Sequence, residues 1–145
     1  MGLPVSFRPL DAYYWPWVHA MTGAVASQQL RGIVAVRGEE PIAAAVFDGW
    51  SFNACQAHIV VDDPMVLRHG FLEEIFHYVF NTCDKGVLIG VTPGDNDKAL
   101  KFNKHVGLRE LYRVKDGYKV GIDYVVQELR KENCKWLRKP QSQAA

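Results

Sequence analysis

The sequence predicts an α/β (α+β) fold: one mixed central sheet of six or seven strands, flanked by helices. Three observations predict it. Short runs rich in Val, Ile and Ala recur along the chain, bounded by Gly, Pro and Asp. Two segments between such runs carry apolar residues at helical spacing. A strand–helix–strand order in the middle of the chain calls for two parallel neighbours joined by a right-handed crossover. At 145 residues the chain suits one core, taken as a single domain over residues 1–137 with a flexible tail at 138–145.

Composition narrows the function classes. A hydrophobic fraction of 48% and a charged fraction of 23% fit ordinary globular folding. The formal net charge of +1 gives no concentrated basic surface, so a nucleic-acid partner is not expected. Arg130, Lys131, Lys135, Arg138 and Lys139 form the densest basic stretch, with the spacing of a solvated tail. No apolar run nears the roughly 20 residues that span a bilayer, so no membrane partner is expected either. Cys55, Cys83 and Cys134 lack metal-ligand spacing and suit a reducing, cytoplasmic setting without a metal.

"VSFRPL" reads as the first strand. Asp11 then caps a helix through "YYWPWVHAMTG", where Pro16 is tolerated only near the start. Tyr13, Tyr14, Trp15 and Trp17 cover one edge of the core or line a substrate groove. "RGIVAVRG" and "PIAAAVFDGW" pair as a hairpin around Gly38-Glu39-Glu40. "FNACQAHIVV" follows as a central strand, apolar on both faces. Asp63-Pro64 starts a helix whose stripe is Leu67, Phe71, Ile75 and Tyr78 or Val79. "GVLIGV" is the parallel strand. Pro93-Gly94 ends it, and Asp95 or Asn96 caps a helix with Ala99, Phe102 and Val106 inward, stopped by Gly107. "LRELYRV" and "KVGIDYVVQEL" form a last hairpin turning at Asp116-Gly117.

Ligand sites in such sheets sit at the carboxyl ends of the parallel strands, where two neighbours splay and leave backbone groups unpaired. The element order, with "TPGDNDKALKFNKHVGL", resembles the GNAT superfamily of acyl-CoA-dependent N-acyltransferases. Asn96, Ala99, Phe102, Gly107 and Leu108 fill the positions of that family's helix motif. The resemblance spans residues 5 to 130 by element order and is specific only over 86 to 108. It implies acetyl-CoA, or another acyl-CoA, as co-substrate and a small-molecule or protein amine as acceptor, in a monomer or homodimer.

The resemblance also assigns residues. The acyl-pantetheine arm would lie between the strands of "HIVV" and "VLIGV", against Val60 and Val61, with Asn96, Ala99 and Phe102 on the helix beside it. The pyrophosphate would sit over Val66, Leu67, Arg68, His69 and Gly70, where free amides favour an anion. Here the chain departs from the family's basic, glycine-rich loop: only Gly70 matches, and Asp62 and Asp63 crowd the positive end of a helix starting at Pro64.

For catalysis, the Val60 amide is the candidate oxyanion donor, and His58 shares its strand face with a pKa range suited to a general base. Asp62 is the second candidate base. Asn103 stands where family members carry a Tyr that protonates the leaving thiolate; an amide donates a hydrogen bond but is no acid. Tyr112 or Tyr118 substitutes only if folding brings one close. Cys55 and His58 fall on opposite strand faces, which disfavours a Cys–His enzyme. The alternative is a catalytically degenerate GNAT-like structural or interaction protein, of the virion-associated kind found among phage-encoded proteins.

Overall fold

Apolar alternation builds the sheet. The computed structural model describes residues 2–137, and the expected tail at 138–145 lies outside them. The elements are β1 (Val5–Pro9), α1 (Trp15–Thr22), β2 (Arg31–Arg37), β3 (Glu40–Asp48), β4 (Ala54–Val61), α2 (Phe71–Phe76), β5 (Val87–Pro93), α3 (Asp97–Val106), β6 (Arg109–Lys119) and β7 (Ile122–Arg130). They form one seven-stranded sheet in the order β1-β2-β3-β4-β5-β7-β6. Every neighbouring pair is antiparallel except β4 and β5, the parallel pair expected from the crossover.

The sheet is buried on both faces at its centre. Ala43, Ala45, Phe47, Cys55 and Ala57 pack against Phe71, Ile75 and Phe76 of α2. Val34, Val36, Ala44 and Val46 pack against Tyr14 and Val18 at α1. The alanine run in β3 lets both helices approach closely, and burial of each large side chain contributes about 1.5–3 kcal/mol. Of the aromatic cluster before α1, Tyr14 belongs to the core while Tyr13 is exposed. Asp11 begins this helix indirectly: its carboxylate accepts from the Tyr14 amide and its carbonyl from the Trp15 amide.

Two expectations need correction. The segment from Pro64 is not one helix. Residues Pro64–His69 make a tight 3-10 turn, Gly70 takes φ +83°, and α2 begins only at Phe71. Asp63 still caps the Met65 amide as the sequence implied. The break has a packing cause: only Val66 of the 3-10 turn is buried, whereas Phe71, Leu72, Ile75 and Phe76 all must reach the sheet. A π turn over His77–Thr82 continues α2 and keeps adjacent Val79 and Phe80 both buried.

The last hairpin does not turn at Asp116-Gly117. β6 runs on to Lys119, and the reversal falls at Val120-Gly121, with Gly121 at φ +88°. Asp116, at φ +56°, instead sits in an irregular stretch where the register slips between Val114 and Lys119. Side chains hold that shape: the Asp116 amide donates to Asp123 Oδ1 at 3.1 Å, and the Gly121 amide donates to Asp116 Oδ1 at 2.8 Å.

Candidate active site

The parallel pair separates as expected. β4 and β5 match only at Ala54↔Val87, Cys55↔Leu88 and Gln56↔Ile89. On their outer sides the strands stay paired much further, β4 to β3 as far as Ala43↔Val61 and β5 to β7 as far as Pro93↔Tyr124. Each strand is therefore held from outside while the inner edges part beyond Gln56 and Ile89. Alternate peptide groups of residues 57–61 turn toward this gap without a strand to bond. Gly90, just past the fork, accommodates Leu108, whose Cδ2 would stand 3.0 Å from any Cβ placed there.

A cavity of about 230 Å³ lies beside the fork, between the end of β4 and α3. Ile59, Val60 and Val61 line one wall, Asn96, Ala99, Phe102 and Asn103 the other, with Met21 and Lys98 at the rim. Six of the sequence-selected residues thus meet in one place: Val60, Val61, Asn96, Ala99, Phe102 and Asn103. Asn96 caps α3 by accepting from the Ala99 amide at 3.1 Å, which fixes the start of that helix at the cavity. Gly107 ends α3 at φ +118° and donates to the Asn103 carbonyl.

Asn103 is anchored. Its Nδ2 donates to Thr92 Oγ1 at 3.1 Å and to Gln127 Oε1 at 3.0 Å. Thr92 and Gln127 are only 8% and 4% exposed, so α3 is tied to β5 and β7 through a buried polar cluster. Sequence reasoning missed both partners. The signal was there in Gln127, a polar side chain on a strand position that otherwise faces the core. Neither Tyr112 nor Tyr118 can supply a phenol here. Tyr112 pairs with Val126, on the face opposite Gln127 and Asn103, and Tyr118 packs on Tyr124 of that same far face.

His58 lies on the α1 side of β4, in register with core residue Val46, and Val60 shares that side. Cys55 points the other way, into the α2 core, where burial pushes its thiol up to about 12. Asp62 is exposed at the end of β4.

Leu67, Arg68, His69 and Gly70 lie in and after the 3-10 turn, outside the residues lining the cavity, with Arg68 and His69 exposed and Val66 wholly buried. Val66 has no exposed surface and its amide donates to the Asp63 carbonyl, so this residue, selected from the sequence for the pyrophosphate, is not open to a ligand. The carboxylate crowding is partly relieved: Asp63 is bonded by the Met65 amide and by Arg37 at 2.9 Å, contacts that hold its carboxyl below the usual range.

Two larger hollows, about 410 and 500 Å³, adjoin at Arg31 and Tyr78 on the α2 face. Their cations are engaged by backbone carbonyls, Arg31 at Gln28 and Leu30, Lys85 at Ser51 and Phe52. Among the described residues, no group of three or more His, Cys, Asp or Glu could hold a metal, and no helix is long and apolar enough to cross a membrane.

No protein-family model matches the sequence, and no curated protein matches it. Solved structures do match. Mutant forms of the spermidine/spermine N-acetyltransferase SpeG from Vibrio cholerae superpose with a TM-score of 0.74 at 9% identity, over 89% of this chain and 96% of theirs. An acetyltransferase assigned to the GNAT family from Desulfovibrio desulfuricans gives 0.71 at 17% identity, over 88% of this chain and 99% of its own. With the forked parallel strands at its centre, the chain has the GNAT-like fold of these acetyltransferases.

Proposed function

We propose that the chain is an N-acyltransferase that moves an acetyl or similar acyl group from acyl-CoA to an amine. The observation that carries this reading is the fork: two parallel strands that part after three residue pairs, over a cavity walled by Val60, Val61 and Phe102. A linear thioester arm fits such a slot and finds unpaired peptide groups along residues 57–61. The segment Leu67–Gly70, with Arg68 and His69 exposed, takes the pyrophosphate.

In the reaction the amine nitrogen attacks the thioester carbonyl, the C–S bond breaks, and the thiolate leaves with the coenzyme. The amine proton passes to His58 directly or through water, with Asp62 as the weaker base. An amide at Val60 donates to the oxygen that gains charge. Asn103 contributes no proton, and its donor group is held by Thr92 and Gln127. Thiolate needs little help to leave, its ordinary pKa being about 8.5. Polyamines, the acceptors named for SpeG, belong to the amines to be tried.

A second reading, a degenerate domain kept for structure or interaction, is favoured by one observation: Tyr112 and Tyr118, the candidate replacements for the phenol, both lie on the face opposite Asn103. Calorimetric titration with acetyl-CoA decides between them. Saturable binding followed by thiol release with an amine supports acyl transfer; no heat at millimolar coenzyme removes it.

A further inference from the structure

The helix α1 packs over one part of its side of the sheet, against Val34 and Val36 of β2 and against β3 and β4. Beyond them the same face continues over β5, β7 and β6, and it is apolar and aromatic. Val91 pairs with Val126 and Val126 with Tyr112, while Val114 pairs with Tyr124. Tyr118 meets Tyr124 edge-on at 5.7 Å. Tyr112 is 68% exposed and Tyr118 50%. Paired residues share a face, so this platform borders the fork directly through Val91, on the side where His58 lies.

One end of the platform is charged. Glu128, buried, accepts on the same oxygen from Arg109 at 3.3 Å and from Arg130 at 2.9 Å. Two guanidiniums against one carboxylate leave a net positive charge, and each arginine keeps unused N–H groups. Gln56, Ile89 and Glu128 lie in one row across the sheet, and Val60 is four residues further along β4. At about 3.3 Å per residue and 4.8 Å per strand, the arginines stand roughly 16 Å from the reacting position. That is about five residues of extended chain.

We propose that the acceptor lies on this open face and is an acidic polypeptide end. Its free amine enters the fork beside His58, its apolar side chains rest on Val91, Val126 and Tyr112, and a carboxylate near its fifth residue meets Arg109 and Arg130. A small amine would call for a concave, enclosing site; this surface is a broad sheet face. A polycation would meet the unneutralised arginine. The proposal rests on the acyl-transfer reading for its chemistry but not for its binding.

The test uses two hexapeptide amides with free amino ends, serine-valine-phenylalanine-leucine followed by two glutamates or by two lysines, with spermidine as a third probe. Binding is measured by calorimetry with and without acetyl-CoA. The expected result is at least tenfold tighter binding of the glutamate peptide than of the lysine peptide or spermidine, with about a fivefold loss in Tyr112→Ser, an exposed position whose change spares the core. Equal binding of the two peptides, tighter binding of spermidine, or binding of none overturns the proposal. So does a dimer in solution that Tyr112→Ser dissociates without changing peptide affinity, since a second copy would then be the occupant. Discriminating peptide binding without any coenzyme binding upholds the docking surface and removes acyl transfer alone.

Discussion

Replacing Asn103 with leucine tests how the cleft is held together. The substitution keeps the number of side-chain heavy atoms and the branching, and it places a better helix former on α3, so a loss of stability reports on the amide and its partners. Two hydrogen bonds vanish, to Thr92 Oγ1 and Gln127 Oε1. Each net bond is worth about 0.5–1.5 kcal/mol, and a buried acceptor left unpaired costs about 1–3 kcal/mol. The Thr92 hydroxyl can rotate to another partner, whereas Gln127, at 4% exposure, has little room to do so. The expected loss is therefore about 2–4 kcal/mol, a large part of the roughly 5–15 kcal/mol that holds a domain folded. In thermal unfolding followed by circular dichroism this appears as a Tm lower by about 5–15 °C. The double variant Asn103→Leu/Gln127→Leu removes both partners and should recover about 1–2 kcal/mol of the loss. A single variant within about 0.5 kcal/mol of the parent, or a double variant whose losses simply add, would refute the anchoring role. The same arithmetic bears on Asn103→Tyr, the change that restores the family's phenol: any gain in turnover would come at a comparable cost in stability.

Other outcomes follow from the same geometry. His58→Ala should lower the acyl-transfer rate at least tenfold while leaving acetyl-CoA affinity within about twofold, because a base contributes roughly 10²–10⁴ and His58 lies outside the cavity wall; equal rates would reject the role. Arg68→Ala should weaken coenzyme binding several-fold and flatten its salt dependence, both read by titration at two ionic strengths. Stability should decline at alkaline pH. Burial raises the Cys55 thiol from its ordinary 9.0 to about 12, so the unfolded chain ionises first. The contribution is complete below pH 9 and fades between about 9 and 12, at no more than about 1.4 kcal/mol per pH unit. Cys55→Ala should make urea midpoints less steep across that window, and an unchanged slope would show that other groups set it.

Much of this protein was legible in one dimension. Alternating apolar residues marked the strands, and the β4–α2–β5 crossover marked the parallel pair, because a strand that returns through a packed helix re-enters the sheet in the same direction; α1, by contrast, links β1 to an antiparallel neighbour, β2. Asn96 and Gly107 marked the ends of α3 because capping and a left-handed stop depend on local chemistry alone. Where local signals competed with packing, they lost. Pro64 announced a helix that the core postponed to Phe71, and the Asp116-Gly117 turn signal was absorbed into a bulge laced to Asp123 and Gly121.

The sequence by itself therefore determined the order of elements, the two central strands and the residues beside their fork, all written in periodicities of two and near four. Only the tertiary structure decided that the fork opens after three pairs, that Asn103 is bound to Thr92 and Gln127, and that α1 packs on β2, β3 and β4 while Tyr112 and Tyr118 stay exposed. Such facts join residues dozens of positions apart. They arise from how strands and helices compete for the same surface, which no local pattern encodes.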